Sequence, residues 1–317
     1  MAWAQMADLF FSLPSISKIL ILLAVSLVFG ACANDPAKPK TENKPVATTN
    51  IAVANNKVPE GKIKITLMNV DHGDAILLQT NKKNYLIDAG QDSSRALYAA
   101  NMEKLGVKDV DTMIITHHHR DHMGNAKWSA GKYSIHRIWD TGVVNPTYKA
   151  SIKMNELLSQ GNYKNKVLKA GDTFKLDGMH FEVLSPGSFL PKFEEKEINN
   201  KSLVMKMTFG DFSMLFTGDI EAPAEDVLVN TYGDKLKVDI VKVPHHGSKT
   251  SSSWKLISAT KPKYALISCG EPEKTHHPNP KVVKAWQAQG VKVYNTMDNG
   301  NLTVLTDGKD YSVLVEK

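Results

Sequence analysis

Residues Ile115–Asn125 read "ITHHHRDHMGN", which sets four histidines and an aspartate between positions 117 and 122. The stretch is entered from "DTMIIT" (Asp111–Thr116), a short apolar run of strand type, so the cluster lies at a strand end. In an extended segment, residues i and i+2 point to the same side. His117 and His119 can therefore meet one metal ion, while Asp121 and His122, beyond a turn, reach a second ion beside it. Imidazole and carboxylate without thiolate suit Zn²⁺, Mn²⁺ or Fe²⁺. A solvated polar loop is the bland alternative. Histidine placement along the whole chain argues against it. Eight of the eleven histidines fall in three clusters, at 117, 118, 119 and 122, at 245 and 246, and at 276 and 277. Each follows a strand-like run, where α/β folds place their sites.

Working outward, "IKITLMNV" (Ile63–Val70), "AILLQT" and "NYLIDAG" are separated by polar turns and predict an antiparallel meander. "SSRALYAANMEKLG" (Ser93–Gly106) has helical spacing, a serine start and a glycine stop. A second half repeats the style. "SLVMKMTF" and "FSMLFTGD" flank a Gly210-Asp211 hairpin signal, "IEAPAEDVLVNTYG" reads as a helix, and "KVDIVKVPHHGS" is a strand ending in histidines. "YALIS", a helix from Pro280 to Gln289 and "VKVYNT" complete the pattern. Two mixed halves predict two packed sheets with helices outside. With 42% hydrophobic and 23% charged residues the composition is that of an ordinary globular protein. The net charge of +6 agrees with an anionic substrate without selecting one.

The N-terminus stands apart. Ile19–Ala31, "ILILLAVSLVFGA", is apolar except for Ser26 and follows Lys18. It is short for a spanning helix, which needs about 20 residues, and suits a signal-peptide core, with an uncleaved anchor as the alternative. "FGAC" then resembles a lipobox, with Phe29 where an aliphatic residue is usual, and lipidation of Cys32 is expected. Residues 1–32 are thus expected to be the signal, 33–60 a Pro- and Lys-rich flexible tether, and 61–317 the exported domain on the outer face of a bacterial membrane. Cys269, left without a partner, is expected to act as a small buried hydrophobe.

His117-x-His119-x-Asp121-His122 after a buried strand resembles the signature of the metallo-β-lactamase superfamily, from Gly61 to the C-terminus. The resemblance implies a four-layer αββα sandwich of α/β (α+β) class. It implies that Asp88 of "NYLIDAG" supports the metal loop from behind, and that Asp219 of "LFTGD" bridges the metals. "VPHHGS" supplies the last metal histidine, for which the nearer strand end favours His245 over His246. "VDHGDAILLQ", "NNKSLVMKMTFGDFSMLFTGDIE", "VDIVKVPHHGSKTSSS" and "THHPNP" further resemble the hydrolase domain of ComEC-type DNA-uptake proteins. Asp74, Asn200, Ser202, Ser248 and His277 fall on that pattern. The sequence holds no series of transmembrane segments, so translocation of DNA by this chain alone is not expected.

These residues imply one or two divalent ions (Zn or Mn) held by His117, His119, Asp121, His122, Asp219 and His245. No further ligand histidine stands between the first cluster and Asp219 except His136 and His180, both within strand-like segments and both read as packed or surface residues. Asp121, His246 and His277 are the candidate catalytic residues. His246 and His277 bind the phosphate or protonate the leaving oxygen; for His246 a hydrogen bond orienting Asp219 or His245 is the other reading. Asp74 lines the site or caps a turn, and "GSKTSSS", leading into a helix at Trp254, either cradles a phosphate with its amides and hydroxyls or supplies a serine N-cap. Arg120, Lys249, Lys261 and Lys263 are read as solvated, and Trp128 and Trp139 as core. The expected activity is metal-dependent phosphodiester hydrolysis, with DNA the leading substrate. A small phosphodiester such as a phosphorylcholine ester, or a degenerate site that binds without turnover, are the rivals. No protein partner is evident.

Overall fold

The structure is a computed structural model, and it describes residues 58–160, 163–188, 197–271 and 276–317. The signal, Cys32 and nearly all of the tether lie outside the described residues.

Strand β1 (Ile63–Leu67) is buried along its whole length and lies between β2 (Ile76–Gln79) and β14 (Leu302–Thr306), antiparallel to both. Strand β3 (Asn84–Ile87) continues the meander antiparallel to β2. The chain then crosses over. Helix α1 (Arg95–Lys104) connects β3 to β4 (Asp109–Ile114), which pairs parallel with β3 and with β5 (Ser134–Asp140). Helix α2 (Ala126–Lys132) covers the β4–β5 crossover, and β6 (Lys164–Val167) follows α3 (Lys149–Ser159) as a further parallel strand. With β15 (Tyr311–Val315) at the far edge, this sheet has the order β15-β14-β1-β2-β3-β4-β5-β6.

The second sheet begins with β7 (Thr173–Leu176), β8 (Met179–Ser185), β9 (Val204–Phe209) and β10 (Phe212–Phe216), all antiparallel, and turns parallel at β11 (Ile240–Lys242), β12 (Tyr264–Ile267) and β13 (Lys292–Asn295). Helices α4 (Ala222–Tyr232), α5 (Trp254–Thr260) and α6 (Pro280–Gln287) make its crossovers.

Period-2 burial explains the layers. Ile63, Ile65, Leu67, Phe181, Met205 and Phe216 meet between the sheets. Leu77, Leu86, Met113 and Ile138 face outward under α1–α3, whereas Leu215, Val241 and Ala265 pack under α4–α6. Three stacked cores separated by two sheets are the expected αββα sandwich. Each fully buried large apolar side chain stabilises it by about 1.5–3 kcal/mol.

Some elements differ from the sequence reading. The helix expected from Ser93 opens with a 3₁₀ turn at Asp92–Ser94 and becomes α-helical at Arg95. Helix α3 carried no visible signal, because its buried residues are Ser151, Met154 and Leu157, a narrow stripe that includes a hydroxyl. Strand β6, "KNKV", is exposed throughout and lacks the apolar alternation that marks strands.

One consequence of this topology matters for function. The parallel segments of both sheets end at the same edge of the sandwich. Asp88 follows β3, residues 117–122 follow β4, Asp219 follows β10 and His246 follows β11. The β1–β2 loop reaches that edge too, since Ile76 pairs with Ile87.

Candidate metal centre

Beyond β4 the chain bends through Thr116–His118 and is extended again at His119, the N-cap of a single helical turn at Arg120–Met123. The neighbouring histidines part within this bend. His117 Nε2 and His119 Nδ1 face each other at 3.1 Å. His118 turns away into the sandwich, where its ring nitrogens meet Ser151 Oγ at 2.9 Å and Asp140 Oδ2 at 2.8 Å. It is a buried structural residue. Arg120 is exposed and paired with Asp92.

Among the described residues, Asp121, His122, Asp219 and His246 bring four donor atoms within 4.8 Å of one another. His122 Nε2 lies 3.0 Å from Asp219 Oδ2, 3.3 Å from His246 Nε2 and 3.7 Å from Asp121 Oδ2. His246 Nε2 lies 3.1 Å from Asp219 Oδ2 and 3.2 Å from Asp121 Oδ2. A tetrahedral ion with ligands about 2.0–2.1 Å away has donor–donor edges of about 3.3–3.4 Å. The set therefore fits a small divalent cation in both donor type and size. The spacing of His117 and His119 matches one such edge, but among the described residues the pair gathers no third His, Cys, Asp or Glu donor into a cluster of that size.

The preference for His245 over His246 is corrected here. Pro244 begins a tight turn in which His245 (φ 48°, ψ 47°) and His246 (φ 53°, ψ 23°) are both left-handed. This backbone sends the two side chains apart. His246 is driven into the interior, its Nδ1 2.9 Å from the Ser268 carbonyl and its Nε2 on the donor set. His245 remains part-exposed, with Nδ1 3.1 Å from Glu221 Oε1 and 3.2 Å from Thr250 Oγ1. Strand-end proximity is a poor guide once the turn reverses direction within two residues.

Residues behind the donors fix their tautomers. Asp88 accepts from Thr116 N at 2.8 Å, from Thr116 Oγ1 at 2.7 Å and from His122 Nδ1 at 2.8 Å. Asp88 thereby holds a His122 proton on Nδ1, which leaves Nε2 as the nitrogen that would meet a cation. Thr116 Oγ1, its own proton given to Asp88, accepts from His117 Nδ1 at 3.1 Å, so the His117 lone pair is on Nε2, the nitrogen that faces His119.

Asp74 does not line the opening. It is buried and pairs with Lys242, whose Nζ also lies 3.4 Å from Asp219 Oδ1 and 3.0 Å from the Gly218 carbonyl. Lys242 is the main residue missed by the sequence reading. It ends an apolar strand, "DIVKV", where a lone lysine reads as surface, yet its side chain is 1% exposed. Ser202 Oγ accepts from Asp219 N at 3.2 Å, and Asn200 Oδ1 accepts from Glu221 N at 3.0 Å, so both hold the loop that carries Asp219. Ser248 closes the histidine turn, its N–H donating to His245 O at 2.7 Å. Ser253 caps α5, accepting from Leu256 N at 3.3 Å. His277 sits at the rim, its ring centre 5.5 Å from His245 and 6.5 Å from His246. His136 is exposed and His180 half-buried within β8, both away from the centre. Cys269 is buried, and burial pushes its thiol up to about 12.

Charge at the centre is strongly organised. Burial would raise Asp121 and Asp219, but His122 and His246 outweigh it, with His72 adding to Asp121 and Lys242 to Asp219, and hold both carboxyls well below the usual range. Burial would lower His246, but Asp219 and Asp121 outweigh it and push the imidazole up to about 9. His122 is raised by Asp219, Asp88 and Asp121, again against burial. His117 is held well below its ordinary value by burial and by His122. His277 falls to about 4 through burial and the neighbouring imidazoles of His246, His245 and His72.

Comparison with known proteins agrees with the fold. Residues 68–186 match the Metallo-beta-lactamase superfamily. The chain is 32% identical over 200 residues to ComE operon protein 3 of Bacillus subtilis, covering 62% of this chain and 25% of that protein. It is 29% identical over 248 residues to Competence protein ComA of Neisseria gonorrhoeae (77% and 32% covered), and 29% over 246 residues to Recombination protein 2 of Haemophilus influenzae (76% and 28%). The chain thus spans a quarter to a third of the length of the curated relatives it matches. Among solved structures, the metallo-beta-lactamase fold protein YhfI of Bacillus subtilis superposes with a TM-score of 0.52 at 11% identity, covering 77% of this chain and 99% of that one, a likeness of fold.

Proposed function

From a chain that carries a metallo-beta-lactamase superfamily domain, we infer a metal-dependent phosphodiester hydrolase whose substrate is DNA. The observation that carries the reading is the donor set of Asp121, His122, Asp219 and His246. Three of these side chains are at most 2% exposed, and Asp121, at 20%, opens the set to solvent. Such a site shields a cation while admitting a substrate from one side. The DNA assignment is supported by the relatives' competence and recombination names and by the ComEC-like blocks.

A divalent cation supplies Lewis acidity, which makes water a usable nucleophile near neutral pH and offsets phosphoryl charge. The chain's own residues do the rest. Asp88 and Ser268 fix the imidazoles of His122 and His246, and Lys242 keeps Asp219 ionised and turned inward. To His277, neutral at physiological pH, the reading gives the donation of an N–H to a phosphoryl or leaving oxygen, supported by its ring lying 6.5 Å from that of His246. Anchoring through Cys32 on the outer cell surface completes the proposal, and it is supported by the signal-like run before that residue.

The test is cleavage of single- and double-stranded DNA by the purified protein with added Zn²⁺ or Mn²⁺, beside Asp219→Asn. Metal-dependent cleavage that the variant lacks is the expected result. Intact DNA with cleaved bis-p-nitrophenyl phosphate would transfer the reading to small esters. No turnover of either would end it.

A further inference from the structure

The β1–β2 loop brings one more imidazole to the opening. His72 Nε2 lies 3.1 Å from Asp121 Oδ2, and its ring packs 4.6 Å from that of His246 and 6.1 Å from that of His277. The loop has little freedom to place it elsewhere. Gly73 is at φ +111°, and a Cβ there would stand 2.1 Å from the Asp121 carbonyl oxygen. On the other side, a Cβ on Gly270 would stand 2.1 Å from Asp71 Oδ1. Asp74 N also donates to the Asp121 carbonyl at 3.2 Å. The same Cβ on Gly270 would stand 2.7 Å from His72 N, so the loop is closely packed on both sides of His72.

We propose that His72 is a positioning residue for Asp121: its Nε2–H holds the carboxylate at the angle at which the outer donor meets a cation. This rests on the hydrolase reading above. An ionised carboxylate only accepts, so the imidazole donates, and one oxygen has lone pairs enough for both an N–H and a cation. The two carboxylates of the donor set are then treated alike. Asp219 is braced from inside by Lys242, and Asp121 from the solvent side by His72. Asp121 needs the brace more, being the exposed member, free to swing into water when unbraced. His72 itself lies outside the cluster of four mutually close donors, which separates its role from theirs.

The experiment is calorimetric titration of the full chain with Zn²⁺ or Mn²⁺ alone, for wild type, His72→Ala, His72→Gln and His72→Asn, with kcat and KM on a phosphodiester alongside. Removing a partner behind a metal ligand typically costs about 10–100-fold in affinity or activity. His72→Ala and His72→Asn should show that loss in cation affinity and in kcat, with KM nearly unchanged. His72→Gln should recover most of it, because its amide N–H reaches the place of imidazole Nε2 and that of Asn does not. Metal-free melting temperatures that match wild type exclude a folding defect as the cause. Affinity of His72→Ala within threefold of wild type overturns the proposal, as does His72→Gln failing as fully as alanine. Wild-type protein that binds no cation would instead overturn the functional reading beneath it.

Discussion

Asp88→Asn changes one atom and should disable the centre from behind. Asp88 takes three donors: Thr116 N–H on Oδ1, and Thr116 Oγ1–H and His122 Nδ1–H on Oδ2. An amide offers one oxygen. If that oxygen serves the backbone N–H, the NH₂ group faces His122 Nδ1, and the imidazole avoids the clash by moving its proton to Nε2. That nitrogen is the one 3.0 Å from Asp219 Oδ2 and 3.3 Å from His246 Nε2, so the proton occupies the cation's side. Restoring the working tautomer forfeits a hydrogen bond to a charged group, about 1.5–3 kcal/mol. At 1.4 kcal/mol per decade this is about a 10- to 150-fold rise in the cation Kd. Competition against a chromophoric chelator at pH 7.5 measures it, and volume is conserved, so the fold should persist. An Asn variant that binds Zn²⁺ within threefold of wild type would refute the tautomer reasoning.

Three further outcomes are expected. His246→Ala should abolish cation binding, whereas His245→Ala should bind within a few-fold of wild type; equal losses in the same titration would contradict the divergence of the two side chains. Raising pH should weaken the metal-free protein and strengthen cation uptake. The proton that Asp219 and Asp121 favour on His246 stabilises the metal-free fold fully below about pH 6.5, and that gain is lost as pH rises through about 9. That proton, and the one favoured on His122 Nε2 by its carboxylate neighbours, must leave when a cation binds, so affinity should climb by about tenfold per pH unit for each proton released, with the release visible as a buffer-dependent enthalpy. Lys242→Met leaves Asp74 and Asp219 buried without their ammonium, a loss of about 3–5 kcal/mol. At about 2–4 °C per kcal/mol, melting without metal should fall by roughly 6–20 °C, and a fall below 2 °C would show that the lysine is not needed for charge balance.

What could be read in advance was what is local. The spacing of residues 117–122 carries its meaning within one turn of chain, and the two-sheet sandwich follows from runs such as "IKITL" and "FSMLF". What escaped depends on three dimensions. The choice of His246 over His245 is made by two consecutive left-handed residues, which no side-chain pattern announces. Lys242 and His72 are single polar residues in ordinary surroundings, and each gains its role only when a strand or loop from elsewhere arrives beside it. His118 shows the reverse. It sits inside the motif, yet its ring turns away from the donor set to a structural task with Asp140 and Ser151.

The donor set draws Asp121 and His122 from one sheet and Asp219 and His246 from the other. A cation seated there would tie together segments 97 residues apart between His122 and Asp219. In chain-entropy terms, a permanent tie closing a loop of about 100 residues restricts the unfolded ensemble by up to about 4.7 kcal/mol. Among the described residues no disulfide supplies such a tie, since Cys269 is buried and unbridged. The metal would then act as the domain's clasp as well as its reagent. A cell that withholds the ion would meet a looser sandwich, more open to proteases, before it met a silent enzyme.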